Sequence, residues 1–339
     1  MNDLSYCYQQ VLKQKRGRKM DLLMIDQKCR DLQKMVYTQY YNGHKPNSFD
    51  PWNKPNVKTL DNGLVCHTDI CYSKEYPNSF FDVWYPDNTN EKRPVFIYIH
   101  GGGFLFGDKT QGDPLSASKA GTSKLAEIVQ AGYIVVNADY ALAPEYRFPV
   151  QIRQLDSLLR YLTEHAEELH LDMTRICLSG SSAGADMTLI YGTCVTNPAY
   201  AEKLSIMPVL TPETLKVLAI DEAALDSRAY DRDMYTMLLC WLGDGNEQYQ
   251  GRHILMNAKE HINNRFIPSW INTSNRGAYF IREATDLAKK LDTIDCDHDL
   301  VYFTKDQADL DHGYMDLFST NKYARQALDR MLAFVGEHI

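Results

Sequence analysis

The chain has 339 residues, 44% of them hydrophobic, and a formal net charge of −8. That length and apolar content support one large core, so a single catalytic-size domain with appendages is expected. The acidic balance argues against nucleic acid as the principal partner, because polyanion binding relies on a basic surface. Eight cysteines, with no C-x-x-C pair among them, read as reduced core residues rather than a disulfide framework or zinc site.

In chain order, Met1 to Cys7 holds no apolar signal stretch, and no run approaches the ~18 apolar residues of a membrane span, so the cytoplasm is the expected compartment. Lys13 to Lys19 carries five basic residues in seven, read as a solvated segment or helix face. From about 18 to 43, Leu22, Ile25, Cys29, Leu32 and Val36 recur at helical spacing, with Pro46 and Pro51 ending the helix. Residues 1–50 are thus a helical lead-in to a main domain over 51–339. Val57 to Pro86 predicts antiparallel strands, among them Gly63–Cys66 and Phe80–Tyr85 around the turn-rich Glu75–Ser79.

After Arg93 the rhythm becomes strand, loop, helix. Candidate strands are Val95–Ile99, Tyr133–Ala138, Arg175–Leu178, Leu215–Ile220, Trp270–Thr273 and Leu300–Phe303. Such alternation predicts an α/β fold with a mostly parallel central sheet flanked by helices. Residues 226–264 exceed what one crossover needs and carry exposed-looking apolar residues, Met237, Leu238, Leu239, Trp241 and Leu242, which predicts a lid insertion.

Two glycine-framed motifs sit at strand ends. Gly180-Ser181-Ser182-Ala183-Gly184 follows a β-prone run and opens a helical pattern, the strand–turn–helix context of a G-x-S-x-G elbow that exposes a nucleophilic serine. His100-Gly101-Gly102-Gly103-Phe104 follows Pro94–Ile99, and its small residues leave backbone N–H groups able to face the oxyanion that forms when a serine attacks an ester carbonyl. A phosphate loop fails on spacing, since Asp108 precedes Lys109 where a Walker loop needs glycine. A dinucleotide fingerprint fails because Phe106 stands where a small residue is required. No cofactor or metal is expected: His298, in the acidic stretch Asp295–Asp299, reads as a surface residue without a second ligand at metal-binding spacing.

Beyond these motifs, Asp139-Tyr140-Ala141-Leu142-Ala143-Pro144-Glu145-Tyr146-Arg147-Phe148-Pro149 and Leu171–Gly184 complete a resemblance to the hormone-sensitive-lipase-like branch of the α/β-hydrolases, over roughly residues 55–339. Ser181 replaces the acidic residue usual before the serine, and Ala185 a glycine after it. The resemblance implies an α/β-hydrolase fold, with residues 1–50 and the insertion at 226–264 forming a helical cap. It also implies Ser182 as nucleophile, and Gly102, Gly103 and the N–H of Ala183 as oxyanion hole. The implied activity is that of a cofactor-free serine carboxylesterase acting on a small or short-chain acyl ester. A homo-oligomer is compatible with the sequence.

The serine needs a base, and the chain order serine, acid, histidine selects His312, in Asp311-His312-Gly313-Tyr314 after the last strand. The family's acid would fall on Gly277 or Ala278, and neither can orient an imidazole. Three readings follow. A substitute carboxylate comes from Asp221, Glu222 or Glu283, with the pair at 221–222 preferred because a strand end is a fixed platform. Alternatively, Ser182 and His312 work as a dyad. In the third reading catalysis is impaired and the chain is a small-molecule-binding protein on a hydrolase scaffold.

Overall fold

The computed structural model describes residues 22–60, 63–86, 91–110, 121–226, 232–243 and 251–339. The N-terminal stretch with Cys7 and the basic run Lys13–Lys19, and 227–231 and 244–250 of the expected insertion, lie outside the described residues.

Nine strands form one sheet among the described residues: β1 (Asn56–Thr59), β2 (Val65–Cys71), β3 (Phe80–Tyr85), β4 (Arg93–Ile99), β5 (Ile134–Ala138), β6 (Leu171–Ser181), β7 (Leu215–Asp221), β8 (Ser269–Thr273) and β9 (His298–Tyr302). Their order is β1-β2-β3-β5-β4-β6-β7-β8-β9. The first three pair antiparallel, and β3 meets β5 antiparallel. From β5 onward every pairing is parallel. This is the expected α/β-hydrolase arrangement, and it points the loops after β4, β6, β7, β8 and β9 to one edge. β9 begins at His298, two residues before the expected Leu300, so His298 belongs to the edge strand; half-buried, it approaches the Cys296 carbonyl at 3.0 Å and Asp292 at 3.7 Å.

Side chains alternate across a strand, so a sheet covered on both sides reads as a continuous apolar run. Val95, Ile97 and Ile99 of β4 join the core on one face, beneath the helices Val150–Glu164, Ala183–Thr196 and Ala278–Asp292. Phe96 and Tyr98 join the other, beneath Gly121–Gln130 and Lys322–His338.

The lead-in helix spans Leu22–Tyr40 and buries Ile25, Cys29, Leu32, Val36 and Tyr37. It does not run on to the prolines. Asn42 and Gly43 turn left-handed (φ 51° and 74°), and the Gly43 N–H donates to the Tyr37 carbonyl at 2.9 Å, so the last turn is closed well before Pro46.

The apolar residues of the insertion are not exposed. In the helix Arg232–Leu242, Met237, Leu238, Leu239, Trp241 and Leu242 are all buried. Trp241 stacks on Phe104 at 3.5 Å and donates its indole N–H to Gln151 Oε1 at 2.8 Å. The Phe148 N–H donates to the Trp241 carbonyl, and Cys29 Sγ and Cys240 Sγ face Thr236 and Asp26 across an antiparallel seam with Leu22–Tyr40. Their lid-like composition is that of a helix buried on two sides.

Among the described residues no helix is long and apolar enough to cross a membrane, and no group of three or more His, Cys, Asp or Glu is placed to hold a metal ion. The described cysteines are free, and Cys29, Cys66, Cys177, Cys194 and Cys240 are buried.

Candidate active site

β6 ends at Ser181 and the next helix begins at Ala183, leaving Ser182 alone in the turn at φ 53°, ψ −117°. A non-glycine residue there is strained, and the surroundings dictate it. A Cβ on Gly184 would lie 2.1 Å from the Ile99 carbonyl oxygen, so only glycine lets the helix start this close to β4. The Ser182 N–H is held by the Asp221 carbonyl at 2.8 Å. Its side chain makes no capping bond to the helix it opens, which leaves the hydroxyl at the positive end of the helix dipole.

The glycine loop after β4 is equally constrained. Gly102 adopts φ 104°, and a Cβ there would sit 2.0 Å from the Phe106 carbonyl oxygen. Tyr140 Oη donates to the carbonyls of His100 and Gly101, both at 3.0 Å, while the Tyr140 ring stacks on His100 at 4.2 Å. Gln33 of the lead-in helix donates to the Leu105 carbonyl at 2.6 Å. Behind the loop, Lys109 Nζ is 2.9 Å from both Asp69 and Asp82, and the Lys109 N–H donates to Asp139 at 2.6 Å. Burial pushes the His100 imidazole down to about 4, so it is a neutral structural ring near pH 7.

His312 lies in the loop after β9, its ring stacked on Phe280 at 4.5 Å and 9°. Its Nδ1 is 3.2 Å from Glu222 Oε2. Glu222 is wholly enclosed and sits in a left-handed turn (φ 61°) after β7. It accepts from the Ser274 N–H at 2.8 Å and the Gly313 N–H at 2.5 Å, and its own N–H donates to the Asn272 carbonyl at 3.0 Å. Burial alone would push its carboxyl up; the charge of His312 beside it, with the donors from the Ser274 and Gly313 segments, outweighs that and holds it below the ordinary value.

The other two candidate acids point elsewhere. Asp221 accepts from Asn272 Nδ2 at 2.7 Å and lies 3.9 Å from Lys124 Nζ. Glu283 pairs with Lys259 at 2.7 Å, on a helix whose Phe280, not Glu283, meets His312. The segment that holds the acid in the resembled family scaffolds the histidine loop instead. Asn275 donates to the carbonyls of Phe303 and Ala308 at 2.9 and 2.7 Å and accepts from the Leu310 N–H at 2.9 Å. Arg276 grips Asp309 at 2.6 Å and Asp311 at 2.7 Å. Gly277 and Ala278 merely start a helix.

Sequence reasoning overlooked Phe280, Asn272, Asn275, Tyr314 and Lys124, whose roles arise only once distant loops meet. Asp186 was overlooked as well. It is buried one turn into the helix after Ser182, accepts from the Ala224 N–H at 2.5 Å, and has its carboxyl pushed well up by that burial. A serine at a helix N-terminus, a glycine loop held rigid beside it, and an imidazole steadied by a carboxylate form the arrangement that nucleophilic acyl transfer requires.

Carboxylesterase NlhH of Mycobacterium tuberculosis is 32% identical over 166 residues, 48% of this chain and 49% of that protein. The chain spans no more than about half the length of the curated relatives it matches. Esterase B of Lactobacillus rhamnosis, in a structure with a tributyrin phosphonate, aligns at a TM-score of 0.71 and 16% identity over 93% of this chain and 94% of its own. A fungal esterase of Rhizomucor miehei gives 0.63 and 17% over 100% and 97%. At such identities the likeness concerns the fold. The model of the BD-FAE family matches residues 81–264, more than half of the chain and including both glycine motifs, and the protein therefore belongs to the BD-FAE family, on the α/β-hydrolase fold of esterases and lipases.

Proposed function

We propose that the protein is a serine carboxylesterase that hydrolyses small or short-chain acyl esters through an acyl-enzyme. The carrying observation is Glu222 Oε2 at 3.2 Å from His312 Nδ1, on a turn whose preceding residue also binds the Ser182 N–H. Ser182 Oγ attacks the ester carbonyl carbon as His312 Nε2 takes its proton. Glu222 holds the Nδ1 proton and stabilises the imidazolium. The N–H groups of Gly102, Gly103 and Ala183 receive the oxyanion, and His312 returns the proton to the departing alcohol. Water then repeats the sequence on the acyl-enzyme. The esterase and lipase names of the relatives support this reading, and the approach of enclosed Glu222 to His312 favours a triad over a dyad or a binding-only scaffold.

In this reading the helix Leu22–Tyr40 and the insertion around Arg232–Leu242 form the cap, and Met237 limits the acyl space. Its Sδ lies 2.9 Å from where a Gly103 Cβ would stand, which suits short chains. The free, buried cysteines suit a reducing compartment, the cytoplasm. The test is turnover of p-nitrophenyl acetate and butyrate against a Ser182→Ala control, with a serine-directed phosphonate. We expect wild-type turnover at least 10³-fold above the control, in line with removal of a triad member, and phosphonate attached to Ser182. Equal rates with no labelling would leave the binding-protein reading.

A further inference from the structure

Behind the proposed acid, on the opposite face of the sheet, Lys124 is buried in the core with its stem in the helix Gly121–Gln130. Its Nζ is 2.9 Å from Asp316 Oδ1 and 3.9 Å from Asp221 Oδ2, and stands 5.1 Å over the Tyr98 ring. Among the described residues no other lysine or arginine pairs with either carboxylate, and the ammonium is the group that Asp316 Oδ1 meets at hydrogen-bond distance. The lysine charge is therefore what compensates both.

The two carboxylates belong to the two arms of the site. Asp221 directly precedes Glu222, and its carbonyl holds the Ser182 N–H at 2.8 Å. Asp316 lies in the 3₁₀ turn Tyr314–Leu317 that begins two residues after His312. A second link runs parallel: Tyr314 Oη donates to Asn272 Oδ1 at 2.6 Å, and Asn272 Nδ2 donates to Asp221 Oδ1 at 2.7 Å. The groups facing Asp221 are thus Lys124, Asn272, Tyr98, Asp316 and, beside it, Glu222. Without the cation this pocket would hold the buried carboxylate of Asp221 and the half-buried one of Asp316 with no positive charge between them, an arrangement that repels or takes up a proton.

We propose that Lys124 is a positioning residue for the esterase site, its buried ammonium clamping the strand end that carries Glu222 to the turn that follows His312. This rests on the serine-esterase reading. Lys124 is not among the groups assigned to the reacting atoms, so the clamp acts on the rate of the chemical step and not on substrate affinity.

The experiment compares wild type, Ser182→Ala, Lys124→Met, Lys124→Arg and Lys124→Met/Asp316→Asn with p-nitrophenyl butyrate from about pH 6 to 9, with melting curves for each. Loosening an acid–base pair by about 1 Å costs on the order of a hundredfold, so we expect kcat of Lys124→Met to fall about ten- to a hundredfold at pH 8. KM should stay within about twofold, since uniform binding is untouched. The loss should shrink toward pH 6, where a proton on Asp221, whose carboxyl burial pushes up, takes the place of the lysine charge. Lys124→Arg should recover most of the rate. If Lys124→Met does not fold, the double variant decides, because it removes the cation and one of the two charges it compensates: it should keep a several-fold kcat loss at pH 8. Wild-type kcat in either Met-bearing protein at every pH overturns the inference. So does a loss that is independent of pH and shared by Lys124→Arg, which marks a merely structural lysine. A wild type no faster than Ser182→Ala overturns the esterase reading itself and this inference with it.

Discussion

Glu222 and Asp221 are neighbours in sequence with opposite surroundings, and the contrast is what lets the candidate acids be separated by experiment. The side chain of Asp221 takes the face of β7 that meets Lys124, whereas the left-handed turn at Glu222 carries its carboxylate to His312. Glu222→Gln would place an amide among three donors, so at least one N–H is left facing another and the imidazole loses the acceptor that selects its tautomer. We expect kcat to fall by about 10³–10⁴, the scale of replacing a triad acid by its amide. Glu283→Gln should change kcat by less than about twofold, and Asp221→Asn by about tenfold at most, the smaller effects expected where no hydrogen bond to the reacting imidazole is lost. Three equally mild effects in steady-state assays would favour a dyad.

At the level of elements, the site is assembled by strand ends and by one helix that the sequence presented as a lid. The stack of Trp241 on Phe104 joins the helix Arg232–Leu242 to the glycine loop after β4, and Gln151 ties the indole to the segment after β5 through bonds of 2.7 Å to the Ala141 carbonyl and 2.8 Å to the Tyr146 carbonyl. Trp241→Ala should therefore do two things. It should destabilise the fold by about 3–5 kcal/mol, as large-to-small changes of buried aromatics do. It should also lower kcat at temperatures where the variant remains folded, because Phe104 follows directly on Gly103. Denaturant melts and assays at 15–25 °C separate the two; an unchanged kcat in folded Trp241→Ala would detach this helix from the proposed oxyanion loop.

Across the whole molecule, stability carries the signature of charges buried within an otherwise apolar two-faced core. Burial pushes the Asp221 carboxyl up to about 6, with Lys124 opposing and Glu222 adding to the rise. A carboxyl raised above its unfolded value near 4 gives the folded state more bound protons between about pH 4 and 6, so its contribution to stability falls as pH rises through that window. Glu222, held below its ordinary value, has the opposite sign: its contribution is present above the unfolded value and is lost as pH falls through the lower, folded one. Asp221→Asn should remove the first dependence. Relative to wild type, its melting temperature should rise between pH 5 and pH 7.5; a constant difference across that range in parallel thermal melts would refute the assignment.

Much was legible in the sequence because it is written in local spacing. Glycines flanking Ser182 and following β4, the apolar runs of the parallel strands and the position of His312 after the last strand are short-range constraints of turn geometry and two-sided burial, and each appears where its residues predicted it. Sequence narrowed the partner of His312 to three carboxylates with a preference for the pair at 221–222, and left a dyad and a binding-only scaffold open. Which one touches the ring depends on the left-handed turn at Glu222, on N–H groups from Ser274 and Gly313, and on Asn275 and Arg276 holding the histidine loop, contacts that join residues far apart in the chain. The same holds for Trp241 and its neighbours, whose apolar pattern could not say what would cover them. Local sequence determines how a turn or strand is built; which side chains meet across the edge of a sheet is decided only when the strands pack.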